Sequence, residues 1–352
     1  MSHDIRTPMN AIMGMTTLIE HDAQSPDKVH EYTKKIQCSS RHLLGLINDV
    51  LDMSKIESGK TTINVGEFYL PELLEQIDTA FRPQTDAKKQ KFEIVIQNLE
   101  HKWLLGDSIR LLQILNNLLS NAYKYTPTGG NIRIEVQEME QSSSSYAKLC
   151  FKVIDNGIGM SQEFLAKIYD SFTREERSVT NTIQGTGLGM SIVKSLVDLM
   201  GGSIDVESVQ GKGTCFEVLL DLRISEKTDA DCNRKKAEKE ETDTHRLKGL
   251  RFLCAEDNEL NAEILKELLH MEGADCVICP NGRSVVDTFE QSVPGDYDMI
   301  LMDVQMPVMN GYEATKAIRK GKHPLARTIP IIAMTANAFS EDVQKSLSAG
   351  MN

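Results

Sequence analysis

Residues 153–160 have the sequence VIDNGIGM, in which Asp155 ends an apolar run and two glycines follow. An apolar run bounded by a glycine-rich turn predicts a buried strand. A carboxylate at the end of such a strand can accept a hydrogen bond from the exocyclic amine of adenine, and glycines let a backbone approach a ligand closely. The stretch therefore predicts a strand of a mixed sheet that ends at a nucleotide site.

A second polar pattern lies upstream, in residues 113–125, which read QILNNLLSNAYKY. Asn117, Asn121 and Lys124 follow at intervals of four and three, so a helix places two amides and an ammonium on one face. This face suits a hydrated Mg²⁺ and a polyphosphate, because Mg²⁺ accepts neutral oxygen ligands while the phosphates supply the charge. A solvent-exposed polar stripe is the alternative for this segment taken alone.

Residues 184–190, QGTGLGM, open a helix that is predicted to reach Met200. Unobstructed backbone N–H groups and a helix N-terminus favour phosphate binding there. The segment is not a P-loop, because no Gly-Lys-Ser/Thr sequence follows, and each glycine cluster by itself is equally typical of a turn. Around these motifs, strands are predicted at 91–96, 131–136, 148–154 and 214–221.

The chain begins with a histidine beside a carboxylate, in residues 2–8, SHDIRTP. An imidazole attacks a phosphoryl group only through a free nitrogen, and an adjacent Asp4 that accepts the other N–H favours the tautomer of His3 that leaves it free. His3 is therefore a candidate phosphoryl acceptor. A solvent-exposed histidine without a function is the alternative.

Apolar side chains at alternating intervals of three and four predict two antiparallel helices. The first ends near His21 and Asp22, and Ser25-Pro26 begins the second with an N-cap and a proline at the first helical position. Two helices cannot enclose this stripe, so we expect a dimer with a four-helix bundle, and a monomeric hairpin packed on a neighbouring domain is the alternative. The second helix is longer by about ten residues, so we expect further sequence upstream. Its stripe comprises Val29, Tyr32, Ile36, Ser39, Leu43, Leu46, Val50 and Met53.

Residues 225–248 mix acidic and basic side chains with almost nothing apolar, which predicts a flexible linker. After it, apolar runs alternate with helical stretches, which predicts a parallel, doubly wound sheet. Its predicted strands lie at 250–255, 276–279, 299–302 and 329–334.

Acidic residues end two of these strands: Glu256 and Asp257 follow the first, and Asp303 ends the third. The carboxyl ends of parallel strands gather at one edge, so the three acids are expected to converge on a divalent cation. Asp303 can then act as a nucleophile and form an acyl phosphate, whose oxygens Thr335 can hydrogen-bond. For any one of these acids, capping a strand at a solvent-exposed edge is the alternative.

Composition narrows the classes of function. The chain has 352 residues with 40% hydrophobic side chains, enough for two or three domains with cores. A net charge of −12 disfavours a general nucleic-acid or anionic-membrane binder. Seven scattered cysteines favour a reducing compartment over a disulfide framework, and Cys276-x-x-Cys279 is interpreted as core.

The segments at 2–8, 113–125, 153–160 and 184–190, in this order and spacing, resemble the H, N, G1 and G2 boxes of sensor histidine kinases. Phe172 resembles the F-box residue, and the resemblance implies that residues 161–184 form a mobile lid over ATP. The resemblance implies an α/β sandwich ATPase domain of the Bergerat type. The nucleotide-binding residues that it implies are Asn117, Asn121, Lys124, Tyr125, Asp155, Gly157, Gly159, Phe172, Gly185, Thr186, Gly187, Leu188, Gly189 and Thr214.

The same resemblance assigns roles to individual residues. It implies that His3 is phosphorylated, that Asp4 is its base, and that Thr7 serves phosphatase activity. It also implies that Asn121 binds Mg²⁺ and that Asp155 reads adenine.

Residues 249–352, with the motif MDVQMPVMNG at 302–311, resemble a response regulator receiver domain with a flavodoxin-like fold. In that family the metal site is acidic, which implies Glu256, Asp257 and Asp303 as ligands, with Thr335 as the switch residue. The family continues into a fifth strand that ends in a lysine, so we expect a receiver truncated before its last strand.

Taken together, the resemblance predicts a hybrid sensor histidine kinase core, in which ATP with Mg²⁺ phosphorylates His3 and the phosphoryl group passes to Asp303. One alternative is a non-catalytic ATP-binding signalling scaffold. Another is an ATPase of the gyrase and heat-shock type, which is disfavoured because Asn117 stands where that class has a water-activating Glu. The predicted domains are 1–62 (dimerisation and phosphoacceptor), 63–224 (ATP-binding), 225–248 (linker) and 249–352 (receiver).

The implied partners are a second copy of the chain and a downstream histidine phosphotransfer or response-regulator protein. No direct nucleic-acid contact is expected. The expected location is cytoplasmic, with the longer parent protein at the cytoplasmic face of the inner membrane.

Overall fold

The computed structural model divides into two units, Met1–Cys232 and Asn233–Asn352, which are treated separately. Among the described residues, no helix is long and apolar enough to cross a membrane. The described residues are 2–59, 61–140, 145–173, 175, 186–227, 247–334 and 340–352, with the backbone alone at 2–4, 57 and 340–344.

A helical hairpin opens the first unit, with α1 (Ser2–His21) antiparallel to α2 (Pro26–Glu57). Its turn is held by Asp22, which accepts hydrogen bonds from Lys28 (3.0 Å) and Tyr32 (3.1 Å). Pro26 occupies the start of α2 as predicted. Ser25 stands at the N-cap position, but its side chain makes no capping hydrogen bond, so the Asp22 contacts fix the turn instead.

The apolar stripe of the hairpin divides between two surroundings. Within the hairpin, Leu43 is half-buried and Leu46 is buried, whereas Met13 and Leu44, which lie outside the predicted stripe, stay 61% and 59% exposed. The prediction that Val50 and Met53 belong to an interhelical seam is wrong, because both pack against the core of the following domain. The last turns of α2 thus face a different partner from the rest of the helix.

The sandwich domain (residues 66–227) has one mixed sheet. Among the described residues its strands follow the order β1-β3-β7-β5-β4-β2, and β6 also pairs with β7. The predicted strands are confirmed, whereas β6 and the four-residue strands β1 and β3 were not predicted. The elements are β1 (Gly66–Tyr69), α3 (Leu70–Ala87), β2 (Lys91–Gln97), β3 (Trp103–Gly106), α4 (Ser108–Tyr125), β4 (Asn131–Met139), β5 (Tyr146–Asp155), α5 (Gln162–Leu165), α6 (Gly189–Leu199), β6 (Ser203–Val209) and β7 (Gly213–Ile224).

The core lies between the sheet and helices α3, α4 and α6. Helix α4 begins at Asp107, whose carboxylate accepts from the backbone N–H of Arg110 at 3.0 Å and so satisfies one of the free donors at the helix start. Its apolar face is fully buried, from Leu111 to Ala122. That burial fixes the rotation of α4 and turns its polar face away from the sheet.

The register of the central strands brings two predicted site residues together. In the antiparallel β5–β7 ladder, Asp155 lies opposite Thr214. Asp155 also lies opposite Ile132 of β4, at the same end of the sheet. The carboxylate of Asp155 therefore lies at the end of a central strand, as predicted.

The first residues of the predicted linker make contacts with the sandwich domain. Ser225 donates from its backbone N–H to Trp103 at 3.1 Å and from its hydroxyl to Glu67 at 2.6 Å, and the Lys227 ammonium lies 2.6 Å from Glu67. Residues 225–227 therefore continue the sandwich domain, contrary to prediction. The rest of the predicted linker, 228–246, lies outside the described residues.

The second unit contains the parallel-sheet domain (residues 247–352). Among its described residues, four parallel strands follow the order β11-β10-β8-β9, which confirms the doubly wound, flavodoxin-like prediction. Its elements are β8 (Arg251–Ala255), α7 (Glu259–Met271), β9 (Asp275–Cys279), α8 (Gly282–Gln291), β10 (Met299–Asp303), α9 (Gly311–Lys320), β11 (Ile331–Met334) and α10 (Ser340–Ala349).

Candidate functional site

A pocket in the first unit opens between α4, the end of β5, the start of α6 and β7. Its walls combine amides, a carboxylate, an ammonium and glycine backbone with apolar side chains, which is the composition expected of a ligand site. The predicted residues that line it are Asn117, Asn121, Lys124, Tyr125, Asp155, Gly159, Thr186, Gly187, Gly189 and Thr214.

Asp155 is the acidic group at one end of this pocket. Its carboxylate accepts from the backbone N–H of Gly157 at 2.8 Å. Burial raises its pKa to about 6, and backbone N–H groups of Gly157 and Thr214 oppose that rise. A partly desolvated acceptor of this kind can recognise the amine of an adenine ring.

Ser208 supports the same end of the pocket, and sequence reasoning missed it. This buried hydroxyl accepts from the backbone N–H of Met160 (2.9 Å), donates to the carbonyl of Gly213 (3.0 Å) and lies 3.0 Å from the Thr214 hydroxyl. Ser208 thereby ties the segment after β5 to the start of β7. Nothing in its sequence neighbourhood distinguishes it from an ordinary strand serine.

Gly159 and Gly213 occupy positions where a side chain cannot fit. Gly159 has φ +60, and an added Cβ would lie 2.1 Å from the carbonyl oxygen of Val209. Gly213 has φ +117, and an added Cβ would lie 1.9 Å from the carbonyl oxygen of Asp155. Both glycines permit the close backbone approach that shapes this end of the pocket.

The opposite end of the pocket is formed by the N-terminus of α6 and the polar face of α4. The Thr186 hydroxyl accepts from the backbone N–H of Leu188 at 3.0 Å and so orders the approach to the helix. The amide of Asn121 donates to the sulfur of Met190 at 3.3 Å. The backbone N–H groups at the start of a helix, with Lys124 nearby, form a surface suited to phosphate.

Asp49 also lines this end of the pocket, although it comes from α2 of the hairpin. It accepts a hydrogen bond of 3.1 Å from the Thr186 hydroxyl. Burial raises the pKa of this carboxyl group above its ordinary value. No local signal marks Asp49, because only the packing of α2 on the sandwich domain brings it here.

Some predicted nucleotide-binding residues do not line the pocket. Gly157 instead lies against the Tyr125 carbonyl, where an added Cβ would approach to 2.6 Å, and Leu188 is buried in the core. Phe172 is exposed, has φ +64, and donates from its backbone N–H to the Gly187 carbonyl at 3.0 Å. Each of these three residues is next in sequence to a residue that lines the pocket.

Other predictions fall outside the described residues. This holds for Gly185 and Thr335, and for the side chains of His3 and Asp4, whose backbone belongs to α1. Thr7 is described and lies exposed on the same helix.

The second unit carries an acidic cluster. One carboxylate oxygen from each of Glu256, Asp257 and Asp303 lies within 4.8 Å of the others, so the predicted convergence is present. Burial raises the pKa of Asp303, and the negative charges of Glu256 and Asp257 raise it further. Three carboxylates in mutual repulsion form an oxygen donor set that suits a hard divalent cation such as Mg²⁺.

Three family descriptions match the chain. Residues 1–59 match the His Kinase A (phospho-acceptor) domain, and residues 106–224 match the histidine kinase-, DNA gyrase B- and HSP90-like ATPases. Residues 252–352 match the response regulator receiver domain.

Several curated proteins align with nearly the whole chain. The autoinducer 2 sensor kinase/phosphatase LuxQ of Vibrio cholerae is 36% identical over 99% of this chain and 39% of its own length. The sensory/regulatory protein RpfC of Xanthomonas campestris pv. campestris is 30% identical over 99% of this chain and 50% of its own length. The chain thus spans half or less of the length of these relatives.

A solved structure shares the arrangement of elements. The crystal structure of full-length ShkA in complex with AMPPNP aligns with 99% of this chain and 93% of its own, with a TM-score of 0.50 and 22% identity. At this identity the likeness concerns the fold.

Proposed function

This chain belongs to the hybrid sensor histidine kinases, and on that premise we propose that it relays a phosphoryl group from ATP to His3 and from His3 to Asp303. His3 and Asp303 are thus the two residues that would carry the phosphoryl group during two-component signalling. It rests on the presence of all three parts that the relay needs: an acceptor helix, an ATPase domain and a receiver domain.

The observation that carries the proposal is the pocket that joins Asp155 and Thr214 at one end to Asn121, Lys124 and the α6 N-terminus at the other. Adenine would bind the Asp155 carboxylate, and the phosphates would lie against α6. Phosphoryl transfer needs little covalent help from a protein, so positioning and charge neutralisation account for catalysis.

In the first step, one ring nitrogen of His3 attacks the γ-phosphorus. The bond from that phosphorus to the bridging oxygen of ADP breaks, a P–N bond forms, and ADP leaves with the negative charge. Asp4 would hold the proton on the other ring nitrogen. Lys124 and the backbone N–H groups at the start of α6 would stabilise the charge on the phosphate oxygens.

In the second step, a carboxylate oxygen of Asp303 attacks the phosphorus on His3. The P–N bond breaks, an acyl phosphate forms, and the imidazole of His3 is restored. Thr335 would hydrogen-bond the transferred group. Thr7, one turn after His3 on α1, is proposed to serve phosphatase activity, in which water displaces the carboxylate of Asp303 and inorganic phosphate leaves.

Mg²⁺ fits both sites by the chemistry of their donors. Asn121, with Asn117 beside it, would hold the ion at the nucleotide phosphates, and Glu256, Asp257 and Asp303 would hold it in the receiver domain. The ion would supply charge neutralisation at the phosphoryl oxygens.

Dimerisation through the hairpin is part of the proposal. Apolar side chains on the middle of both helices stay exposed within one chain, which favours a second copy as their partner. They are Met9, Met13, Leu18, Leu44, Ile47 and Leu51. A histidine phosphotransfer protein or a separate response regulator is the proposed recipient of the phosphoryl group downstream.

The test is incubation with γ-labelled ATP and Mg²⁺, followed by acid or alkali treatment of the labelled protein. We expect alkali-labile label on the wild type, alkali-stable and acid-labile label on Asp303→Ala, and no label on His3→Ala. His21→Ala is the matched control, since His21 is an exposed histidine on the same helix, and it should label like the wild type.

Two outcomes would contradict the relay. Steady ATP turnover that His3→Ala does not change would indicate a water-hydrolysing ATPase. Nucleotide binding without labelled protein under any condition would indicate a signalling scaffold.

A further inference from the structure

Helix α2 places a negative charge inside the phosphate end of the proposed nucleotide site. Asp49 accepts from the Thr186 hydroxyl at 3.1 Å and lines the same pocket as Asn121 and Lys124. Thr186 lies three residues before Gly189, the first residue of α6. The Asp49 carboxylate therefore lies beside the helix N-terminus to which the phosphates are assigned.

The packing of α2 on the sandwich domain fixes this position of Asp49. One turn further along α2, Asp52 accepts a hydrogen bond of 2.7 Å from Gln113 of α4. Val50 and Met53 pack on the domain core between and beside these two contacts. These neighbouring contacts of α2 with the sandwich domain hold Asp49 at the pocket.

A terminal phosphate would meet Asp49 at close range. ATP carries one more phosphoryl group and more negative charge than ADP, and in the proposed site the extra charge would lie at the end of the pocket that Asp49 lines. Asp49 is only partly exposed and lines the pocket, so solvent screens its charge less than it would at a fully exposed position. Asp49 also occupies the Thr186 hydroxyl, which a phosphate oxygen would otherwise accept from.

We infer that Asp49 is a specificity-determining residue. While the end of α2 packs on the sandwich domain, Asp49 lowers the affinity of the pocket for a nucleoside triphosphate relative to a diphosphate. The inference rests on the proposed nucleotide site. It assigns to the hairpin a direct influence on which nucleotide the ATPase domain holds, through one carboxylate rather than through the acceptor histidine.

The experiment is calorimetric titration of the full chain with Mg²⁺-ADP and with Mg²⁺-AMPPNP, whose terminal bond is not hydrolysed. We expect Asp49→Asn to raise the AMPPNP affinity about tenfold and to change the ADP affinity less than twofold, because the amide can still accept from Thr186 but carries no charge. Asp49→Glu keeps the charge and should keep the wild-type affinity ratio.

Asp198→Asn is the matched control, since Asp198 is an exposed acid on α6 and its loss changes the net charge by the same amount. It should leave the AMPPNP-to-ADP ratio unchanged. If Asp49→Asn fails to fold, as judged by circular dichroism, Asp49→Ser supplies the neutral variant.

Equal changes in ADP and AMPPNP affinity, or no change, would overturn the inference while leaving the nucleotide site intact. A wild-type protein that binds neither nucleotide would overturn the proposed function itself and this inference with it.

Discussion

The side-chain amide of Gln113 on α4 donates a hydrogen bond of 2.7 Å to the carboxylate of Asp52 on α2. Asp52 is 9% exposed, and the buried guanidinium of Arg110 lies 3.8 Å from it. The hairpin and the sandwich domain are therefore joined by a polar network with little access to water. Such networks are costly to break, because each lost partner leaves a buried group without its hydrogen bond.

Asp52→Ala is expected to loosen α2 from the sandwich domain and to lower the free energy of unfolding by about 2 kcal/mol, because Gln113 loses a buried acceptor and Arg110 loses a nearby negative charge. Hydrogen exchange read by mass spectrometry should show faster exchange in the last two turns of α2. Asp27→Ala, at an exposed position near the start of the same helix, is the control. Equal exchange in both variants would show that the network does not hold the helix.

The raised pKa of Asp155 predicts a pH dependence of stability. The native carboxyl group titrates at about 6 against 3.8 as the ordinary value, so between these values the native state binds more protons than the unfolded state. The contribution to stability is fully present below about pH 4 and is lost as pH rises through about 6, by at most about 3 kcal/mol. Asp155→Asn removes this pH-dependent contribution to stability, because an amide does not titrate in this range.

Urea unfolding followed by fluorescence provides the measurement, since Trp103 is the single tryptophan of the sequence and lies buried in β3. The stability of Asp155→Asn relative to the wild type should increase from pH 4 to pH 7. Parallel pH profiles of the two proteins would contradict the assigned pKa.

Gly213→Ala should be strongly destabilising, by about 3 kcal/mol or more, because its Cβ would collide with the backbone of Asp155 at a φ that disfavours side chains. Nucleotide affinity should fall with it, since Asp155 would be displaced. Gly211→Ala is the control: Gly211 has φ +76 but open space around it, and we expect a cost of about 1 kcal/mol. Thermal unfolding of both variants separates collision from backbone strain, and similar losses would exclude the collision.

Removal of one acid from the receiver cluster should stabilise that domain in the absence of divalent ions. Asp303→Asn relieves the repulsion from Glu256 and Asp257, with an expected gain of about 1 kcal/mol, and it should abolish the rise in melting temperature that Mg²⁺ gives the wild type. Calorimetry with and without Mg²⁺ checks both effects. Asp287→Asn, an exposed acid on α8, should behave like the wild type; a wild type that does not respond to Mg²⁺ would argue against the metal site.

Leu44→Glu is expected to convert a dimer into a monomer, because it places a charge among the exposed apolar side chains of the hairpin. Light scattering coupled to size-exclusion chromatography gives the mass directly. Leu199→Glu, at an exposed apolar position of α6, controls for the added charge. A wild type of monomeric mass would count against the four-helix bundle.

Periodicity alone was sufficient for most of the architecture. The three-and-four spacing of apolar residues gave both helices of the hairpin, and short apolar runs gave the long strands of the sandwich domain and all four described strands of the parallel sheet. Three strands of the sandwich domain were missed: β6, and the four-residue strands β1 and β3, which pair with each other. Their pairing depends on a neighbour that lies about 35 residues away in sequence, which no local pattern records.

Some residues of the candidate site could be predicted from local sequence patterns, and others could not. Asn117, Asn121 and Lys124 were predictable because helical spacing puts them on one face, and Asp155 because it ends an apolar strand. Asp49 and Ser208 were not predictable, since each acts on the pocket through a contact with a distant segment. The outward position of Phe172 likewise depends on its backbone contact with Gly187.

The sequence by itself determined the secondary structure, the order of the domains and the residue types at each end of the nucleotide pocket, because spacing along a helix or strand sets which side chains share a face. Only the tertiary structure decided that the end of α2 packs on the sandwich domain and brings Asp49 to Thr186. The physical reason is that an apolar stripe states how much surface must be buried but not against which partner. That choice follows from the shape and charge of surfaces that exist only after folding.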